Sequence, residues 1–270
     1  LASRPGTSVL AMLALALGIG LTTTMFSIVQ GAFLRGLPFE ESDRIMYVGR
    51  ANKDRPDRPN SAPMDDFLDW RREQRSFIEL GAVSNTSAVV TGGMAPERYR
   101  AARISANVLP LLRVKPLVGT GFTEQDSQEG APPVALISYR VWTNQFKKDP
   151  AVIEQTVRIN GAATRIIGVL PEKFGFPQTQ DLWLPLELAP NTKRGEGTFV
   201  EVVGRLRDGI SLERARADLV DVARRLEQQY PVENKGVSAA VLPYVQRFIG
   251  ADVMNTLLSM LGAVFGVMLI

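Results

Sequence analysis

Carboxylates are the side chains of this sequence with the clearest potential for chemistry. Asp65, Asp66 and Asp69 fall together at the start of a predicted helix, where they could hold a hard cation. Such a cation takes about six or more oxygen ligands, and three on one helix end are too few. We therefore expect these aspartates to cap the helix and to be solvated. Glu124 and Asp126 could form the acid–base pair of a hydrolase, but their loop is acidic and expected to be solvated.

Two residue types that often carry catalysis or bind metals are missing from the sequence. No cysteine is present, which excludes disulfides, zinc thiolate sites and cysteine nucleophiles. No histidine is present, which removes the commonest general base and most zinc chemistry. The Gly-Thr-Gly at 119–121 lacks the flanking strand and helix of a nucleotide-binding loop, and no Walker-type phosphate loop occurs. The sequence thus predicts no catalytic residue, no metal site and no cofactor.

The charge distribution argues against nucleic acid as a partner. The 31 Lys and Arg residues and 28 Asp and Glu residues are interspersed, and the net charge is +3. A nucleic-acid surface needs basic residues clustered on one face. Arg71, Arg72 and Arg75, at the end of a predicted helix, form the only short basic cluster that we identify.

Residues 7–34 contain no charged residue and dominate the first part of the chain. About 20 apolar residues suffice to cross a hydrocarbon core of about 30 Å, so this stretch predicts a transmembrane helix. A signal peptide has a shorter apolar core of about 7–15 residues followed by a small-residue cleavage site, whereas here the chain continues as Arg-Gly-Leu-Pro. A buried helix of a soluble protein is usually about 10–14 residues long.

A second uncharged stretch, residues 253–270, has about the minimum length of a span and is cut off within the apolar run. Because the chain also begins without methionine, we expect further sequence on both sides. Both stretches carry small residues four apart, which let helices approach closely in lipid, although such glycines also occur facing lipid. The predicted helix-packing residues are Ala14 with Gly18, Ala16 with Gly20, and Gly262 with Gly266.

Between these stretches, periodic patterns predict two strand–helix–strand units. The first has a strand at 45–48, a polar linker at 52–60, a helix bearing Met64, Phe67, Trp70 and Phe77, and a hairpin of strands 87–91 and 98–104. The second has a strand at 199–206, a helix that Ser211 opens and Pro231 ends, and a strand at 237–241. Together they indicate an α+β domain.

The segment between the two units has short apolar runs separated by glycines and prolines, and it predicts a smaller inserted α+β subdomain. It contains a strand at 134–137, a helix capped by Ser138, and strands 156–159 and 164–169 around Asn160-Gly161, a strong hairpin signal. Phe174, Phe176 and Trp183 follow among prolines and glycines. We expect these aromatic side chains to hold a loop-rich region together, with a ligand pocket as the alternative.

The order and spacing of these stretches resemble the MacB/FtsX-like ABC transporter permeases, most closely the large duplicated permeases of acidobacteria and their relatives. The similarity runs over nearly the whole chain, and no single piece of it is diagnostic. It is carried by residues 15–20, 25–27, 34–38, 104–107, 117–122, 159–161, 168–171, 182–186 and 204–206, and by Ser138 with Trp142 and Phe146.

The resemblance implies a definite domain organisation. Residues 1–36 would form an N-terminal segment and first transmembrane helix, and residues 248–270 the start of the second. Residues 37–247 would form the periplasmic core domain, with a porter-like part at 40–112 and 198–245 and the inserted subdomain at 113–197. The charges flanking the first span, Arg4 and Arg35, do not settle its orientation, so the periplasmic placement comes from the family.

The resemblance also implies a function. Such a chain would be a non-catalytic permease subunit in the bacterial inner membrane, working in export, efflux or mechanotransmission. A separate cytoplasmic ABC ATPase would drive it, it would act as a homodimer or pseudo-dimer, and a periplasmic adaptor and membrane lipid would be further partners. Two alternatives stay open: a membrane-anchored extracytoplasmic binding or sensory domain, and an anchored hydrolase using Glu124 and Asp126.

Overall fold

The computed structural model describes residues 16, 19, 20, 23, 40–91, 96–247, 259 and 262. The segment Pro38–Pro243 forms one compact unit, and the remaining described residues belong to a second unit. Within the described residues, no helix is both long enough and apolar enough to cross a membrane. The predicted spans at 7–34 and 253–270 lie outside the described residues except for six isolated positions.

Strands dominate the compact unit. The strands are β1 (Ile45–Asn52), β2 (Arg55–Asn60), β3 (Ala62–Pro63), β4 (Phe77–Thr91), β5 (Glu97–Ile104), β6 (Val118–Gly119), β7 (Val134–Ile137), β8 (Thr156–Ile159), β9 (Ala162–Val169), β10 (Leu182–Pro185), β11 (Phe199–Leu206) and β12 (Val237–Pro243). The helices are α1 (Met64–Glu73), α2 (Val108–Leu112), α3 (Tyr139–Phe146) and α4 (Leu212–Gln229).

The strands within the described ranges join in one mixed sheet of 12 strands, in the order β12-β1-β11-β4-β5-β10-β7-β9-β6, with β2, β3 and β8 attached beside this path. Neighbours along the path are antiparallel except β5 with β10 and β7 with β9, which are parallel. The expected α+β class is therefore observed.

Helices α1 and α4 bury their apolar stripes against the first half of the sheet. Phe67 and Trp70 of α1 lie three residues apart, and Leu219, Val222 and Leu226 of α4 follow the same three-and-four spacing, so each set lies on one helix face. All five side chains are buried together with residues of β1, β4, β11 and β12. Ser211 caps α4 by accepting a hydrogen bond from the Arg214 amide, as predicted.

A second hydrophobic core lies between the other half of the sheet and α3. It contains Ile137 of β7, Val141 of α3 and Ile166 of β9, all buried. Ser138 caps α3 as predicted, because its hydroxyl accepts from the Val141 amide. The rings of Phe174 and Trp183 are buried with centroids 5.3 Å apart, so these aromatic side chains do hold the loop-rich region together.

Strand β4 contributes to both cores because it is 15 residues long. Its first half pairs with β11 and places Phe77 and Leu80 in the first core. Its second half pairs with β5 and places Ala88 and Val90 in the second core. The two cores are thus joined by the continuous backbone of β4.

Local signals predicted most strands well, and two predictions were wrong. The segment 52–60, expected to be a linker, contains β2, because Arg55 and Asn60 pair with β1. Phe77 was expected on the first helix, but α1 ends at Glu73 and Phe77 begins β4. The hairpin of β4 and β5 forms as predicted, and residues 92–95 of its turn lie outside the described residues.

The predicted turn at Asn160-Gly161 is confirmed. Strands β8 and β9 pair across it, and both turn residues have positive φ, 51° for Asn160 and 85° for Gly161. A two-residue turn of type I′ requires this conformation at both positions, which is why Asn-Gly is favoured there.

Two large side chains pack directly against the backbone of Gly204 on β11. A Cβ added there would lie 2.5 Å from Cδ1 of Phe77 and 2.6 Å from Cδ2 of Leu80. We predict that Gly204→Ala lowers the free energy of unfolding by about 1–3 kcal/mol, the usual cost of overpacking. Urea unfolding followed by tryptophan fluorescence measures this.

Gly121→Ala is the matched control for this substitution, because its added Cβ would make an ordinary 3.6 Å contact with Leu109. Equal stability of the two variants would show that the first core has room to relax around residue 204.

Candidate functional site

A buried arginine connects the beginning of the compact unit to the middle of its sheet. Arg205 lies on β11 and is only 2% exposed. Its Nε donates to the carbonyl of Leu111 at 2.7 Å, and its two terminal nitrogens donate to the carbonyls of Glu40 at 3.0 Å and Glu41 at 3.4 Å. One guanidinium therefore joins three parts of the chain: the segment 40–44, α2 and β11.

Further charges surround this contact. Arg113 pairs with the carboxylates of Glu40 at 2.7 Å and Glu41 at 2.9 Å. Arg44 pairs with Glu41 at 2.7 Å and Asp208 at 2.5 Å. We call these side chains, with Arg205, the Arg205 junction.

Electrostatics at the Arg205 junction follow from this geometry. The hydrogen bond from Arg113, opposed by burial and helped by the charges of Arg113 and Arg44, lowers the pKa of Glu41. Burial, followed by the charge of Arg113, lowers the pKa of Arg205. An arginine stays cationic near neutrality because its ordinary pKa is above about 12. Glu41 with its lowered pKa therefore stays an anion at neutral pH and pairs with the cations that hold the segment 40–44.

The three aspartates of α1 are not solvated, so that expectation was wrong. Asp65, Asp66 and Asp69 are 7%, 1% and 6% exposed. The segment after β10 folds back over them: Asp65 accepts from the amide of Asn191 at 3.1 Å and from its side-chain nitrogen at 2.9 Å. The sequence could not reveal this, because the partner lies 126 residues away.

Arg194 from the same segment compensates the other two carboxylates. It donates to Asp66 at 2.9 Å and lies 2.8 Å from an oxygen of Asp69. Its guanidinium also donates to Asn234 at 3.0 Å and stacks 3.8 Å above the ring of Tyr230. We call this group, with Asp65, the Arg194 clamp. It binds the loop after β10 to α1 and to the end of α4.

The other pair of carboxylates also has structural contacts. Asp126 accepts hydrogen bonds from the amide and hydroxyl of Thr123, both at 2.7 Å, and so caps the turn Glu124–Ser127. Glu124 is exposed and lies 3.6 Å from Arg71. Among the residues that the structure describes, no three acidic, histidine or cysteine side chains cluster in a way that could hold a metal ion.

The predicted helix-packing residues are only partly described. Ala16, Gly20 and Gly262 are helical and exposed. A Cβ added at Gly20 or Gly262 would meet no described atom within 4 Å. Ala14, Gly18 and Gly266 lie outside the described residues.

These features define a mixed α+β domain whose charged clusters fasten distant segments of one sheet together. A family model for the MacB-like periplasmic core domain matches residues 8–222. The chain therefore belongs to the MacB-like periplasmic core domain family, and the resemblance to the MacB/FtsX-like family is confirmed, whereas the acidobacterial subgroup stays a prediction. No curated protein gives a significant match.

Solved structures agree on the fold. The periplasmic region of MacB from Actinobacillus actinomycetemcomitans is 15% identical, with a TM-score of 0.56 over 81% of this chain and 94% of that one. The extracellular domain of the noncanonic ABC-type transporter YknZ from Gram-positive bacteria is 16% identical, with a TM-score of 0.54 over 73% of this chain and 99% of that one.

The Arg194 clamp generates a prediction about stability. Arg194→Met would leave Asp66 with Arg50 at 3.6 Å and Asp69 with the exposed Arg72, so we expect the free energy of unfolding to fall by about 1–3 kcal/mol, the cost of weakening the hydrogen bonds of two buried carboxylates. Arg72→Met is the matched control, because Arg72 also pairs with Asp69 at 2.5 Å but is 65% exposed. Exposed pairs contribute only about 0–1 kcal/mol.

Urea unfolding of the wild type and both variants measures the difference. Adding Asp66→Asn to Arg194→Met should recover part of the loss, since it removes one weakly compensated charge. Similar losses in the free energy of unfolding for Arg194→Met and Arg72→Met would contradict a special role of Arg194 in compensating the buried aspartates.

Proposed function

We propose that this chain is part of a permease subunit of an ABC-type export or mechanotransmission system. Its family membership over residues 8–222 is the observation that carries the proposal. The folds of the MacB periplasmic region and the YknZ extracellular domain support it. In this proposal residues 37–247 lie in the periplasm, and ATP hydrolysis in a separate cytoplasmic ATPase moves them.

The geometry of the Arg205 junction supports a mechanical role. Glu40 and Glu41 are held by Arg205 on β11, an interior strand of the sheet. A displacement of the segment 40–44 would therefore pull on the sheet itself. Since β4 joins both hydrophobic cores, the sheet would transmit the displacement across the unit.

The proposal includes the domain boundaries predicted from the sequence. Residues 1–36 and 248–270 would contain the flanking transmembrane helices and anchor the chain in the inner membrane. The porter-like part would be 40–112 with 198–245, and the inserted subdomain 113–197. The first hydrophobic cluster draws mainly on β1, β11, β12, α1 and α4. The second combines β7, β9 and α3 with Ala88, Val90 and Ala101 of the porter-like part, so the inserted subdomain would pack against the second half of β4 and against β5.

The proposed partners are a cytoplasmic ABC ATPase, a second copy or second half of the permease, and a periplasmic adaptor. The spans would pack through Ala14, Gly18, Ala16, Gly20, Gly262 and Gly266, because small residues four apart allow close helix contact in lipid.

ATP hydrolysis by the candidate ATPase in nanodiscs, with and without the full-length permease, tests the proposal. We expect the permease to change ATPase turnover at least about twofold, and the double substitution Gly262→Leu with Gly266→Leu to abolish the change. Gly262→Leu alone is compared with Ala263→Leu, which also enlarges one side chain but lies outside the Gly-x-x-x-Gly pair.

An unchanged turnover with each ATPase encoded alongside the permease would contradict the proposal and favour the membrane-anchored sensory alternative. A transport phenotype that survived deletion of residues 40–245 would contradict the mechanical role of the domain.

A further inference from the structure

A basic groove of about 610 Å³ opens on the half of the sheet that carries the second core. Its charged lining comes from β5, from the start of α3 and from the loop between β9 and β10. The residues that matter are Arg98, Arg100, Arg140, Lys173, Glu172 and Asp181. Four cationic side chains thus face two carboxylates, which leaves two positive charges in excess.

Two of the cations are held in place by neighbours. Arg140 donates to both oxygens of Asp181, at 2.9 and 2.5 Å, and Asp181 also accepts from the Ser138 hydroxyl at 3.0 Å. Arg100 donates to the hydroxyl of Thr179 at 2.7 Å. These contacts hold the side chains of Arg100 and Arg140 in position. Arg140 lies in the first turn of α3, so the positive end of that helix dipole is also at the groove.

The other two cationic side chains are not held by neighbouring groups within the described residues. Arg98 and Lys173 are exposed, and neither side chain makes a hydrogen bond or ion pair within the ranges that the structure describes. Arg98 and Arg100 are two residues apart on β5, so both side chains lie on the same face of the strand. The groove therefore presents unpaired positive charge next to positioned positive charge.

Tyr99 is neutral beside this surface, and its partner Glu97 adds one carboxylate whose charge acts on Arg140, so the groove and its surroundings keep one positive charge in excess. Tyr99 is 2% exposed and donates to Glu97 at 2.6 Å. Burial, followed by the hydrogen bond to Glu97, raises its pKa to about 12, so the hydroxyl keeps its proton at neutral pH.

We propose that the basic groove binds an acidic segment of a partner protein. Small-molecule sites are usually enclosed and mostly apolar, whereas this groove is lined by long, exposed, charged side chains. Excess positive charge of this kind attracts a partner of opposite charge, speeds its association and makes binding sensitive to salt. Binding here is independent of whether ATP hydrolysis moves the domain.

The test uses the 270-residue chain in nanodiscs of zwitterionic lipid and a fluorescein-labelled peptide of alternating glutamate and glycine. An otherwise identical glutamine–glycine peptide is the neutral probe. We expect saturable binding of the glutamate peptide at about 20 mM salt, clear weakening at about 200 mM salt, and no binding of the neutral peptide. The double variant Arg98→Gln with Lys173→Gln should bind at least about tenfold more weakly.

The control double variant is Arg214→Gln with Lys235→Gln, which removes the same charge from exposed positions outside the groove. It should bind like the wild type. Absence of saturable binding, or equal loss in both double variants, would overturn the proposal.

Competition by inorganic phosphate at equal ionic strength is the final experiment. If phosphate displaced the peptide at micromolar concentration, the groove would be a site for small anions and the assignment to a protein segment would be wrong.

Discussion

A single buried cation, Arg205, holds the beginning of this domain to the centre of its sheet. Burial of a charge is costly unless hydrogen bonds and counter-charges compensate it. Here the carbonyls of Glu40, Glu41 and Leu111 accept from the guanidinium, and the Glu41 carboxylate lies 3.5 Å away. The segment 40–44 and helix α2 are positioned by the same group, so neither can shift without leaving that charge partly unpaired.

The rest of the architecture extends this connection. Strand β11 pairs with β4, and β4 continues from the first hydrophobic core into the second. The Arg194 clamp then fixes the loop that leads from β10 back to β11. Strand pairing, the shared strand β4 and the Arg194 clamp together tie both hydrophobic cores to the strand that carries Arg205. The basic groove lies on the half of the sheet that carries the second hydrophobic core.

Sequence reasoning succeeded where the signal was local. The Asn160-Gly161 turn, the Ser138 and Ser211 caps and the spacing of α4 each depend on neighbouring residues, and the structure has all of them. It failed where a partner was distant. Asp65 and Asn191 are 126 residues apart, so nothing beside the aspartates indicated that they would be buried. The basic groove was missed for the same reason. Arg98 and Lys173 are 75 positions apart in the sequence and line the same groove only because the sheet brings their segments together.

Hydrogen–deuterium exchange of the full 270-residue chain tests the role of Arg205 most directly. Arg205→Met is compared with Arg207→Met. The second substitution removes an exposed arginine that directly follows the end of β11. Our account predicts that Arg205→Met lowers amide protection at least about tenfold in residues 42–46, 111–114 and 202–206 together, since opening the junction frees all three. Arg207→Met should leave protection there unchanged. Wild-type protection in the Arg205→Met variant would contradict the claim that this contact holds the domain to its sheet.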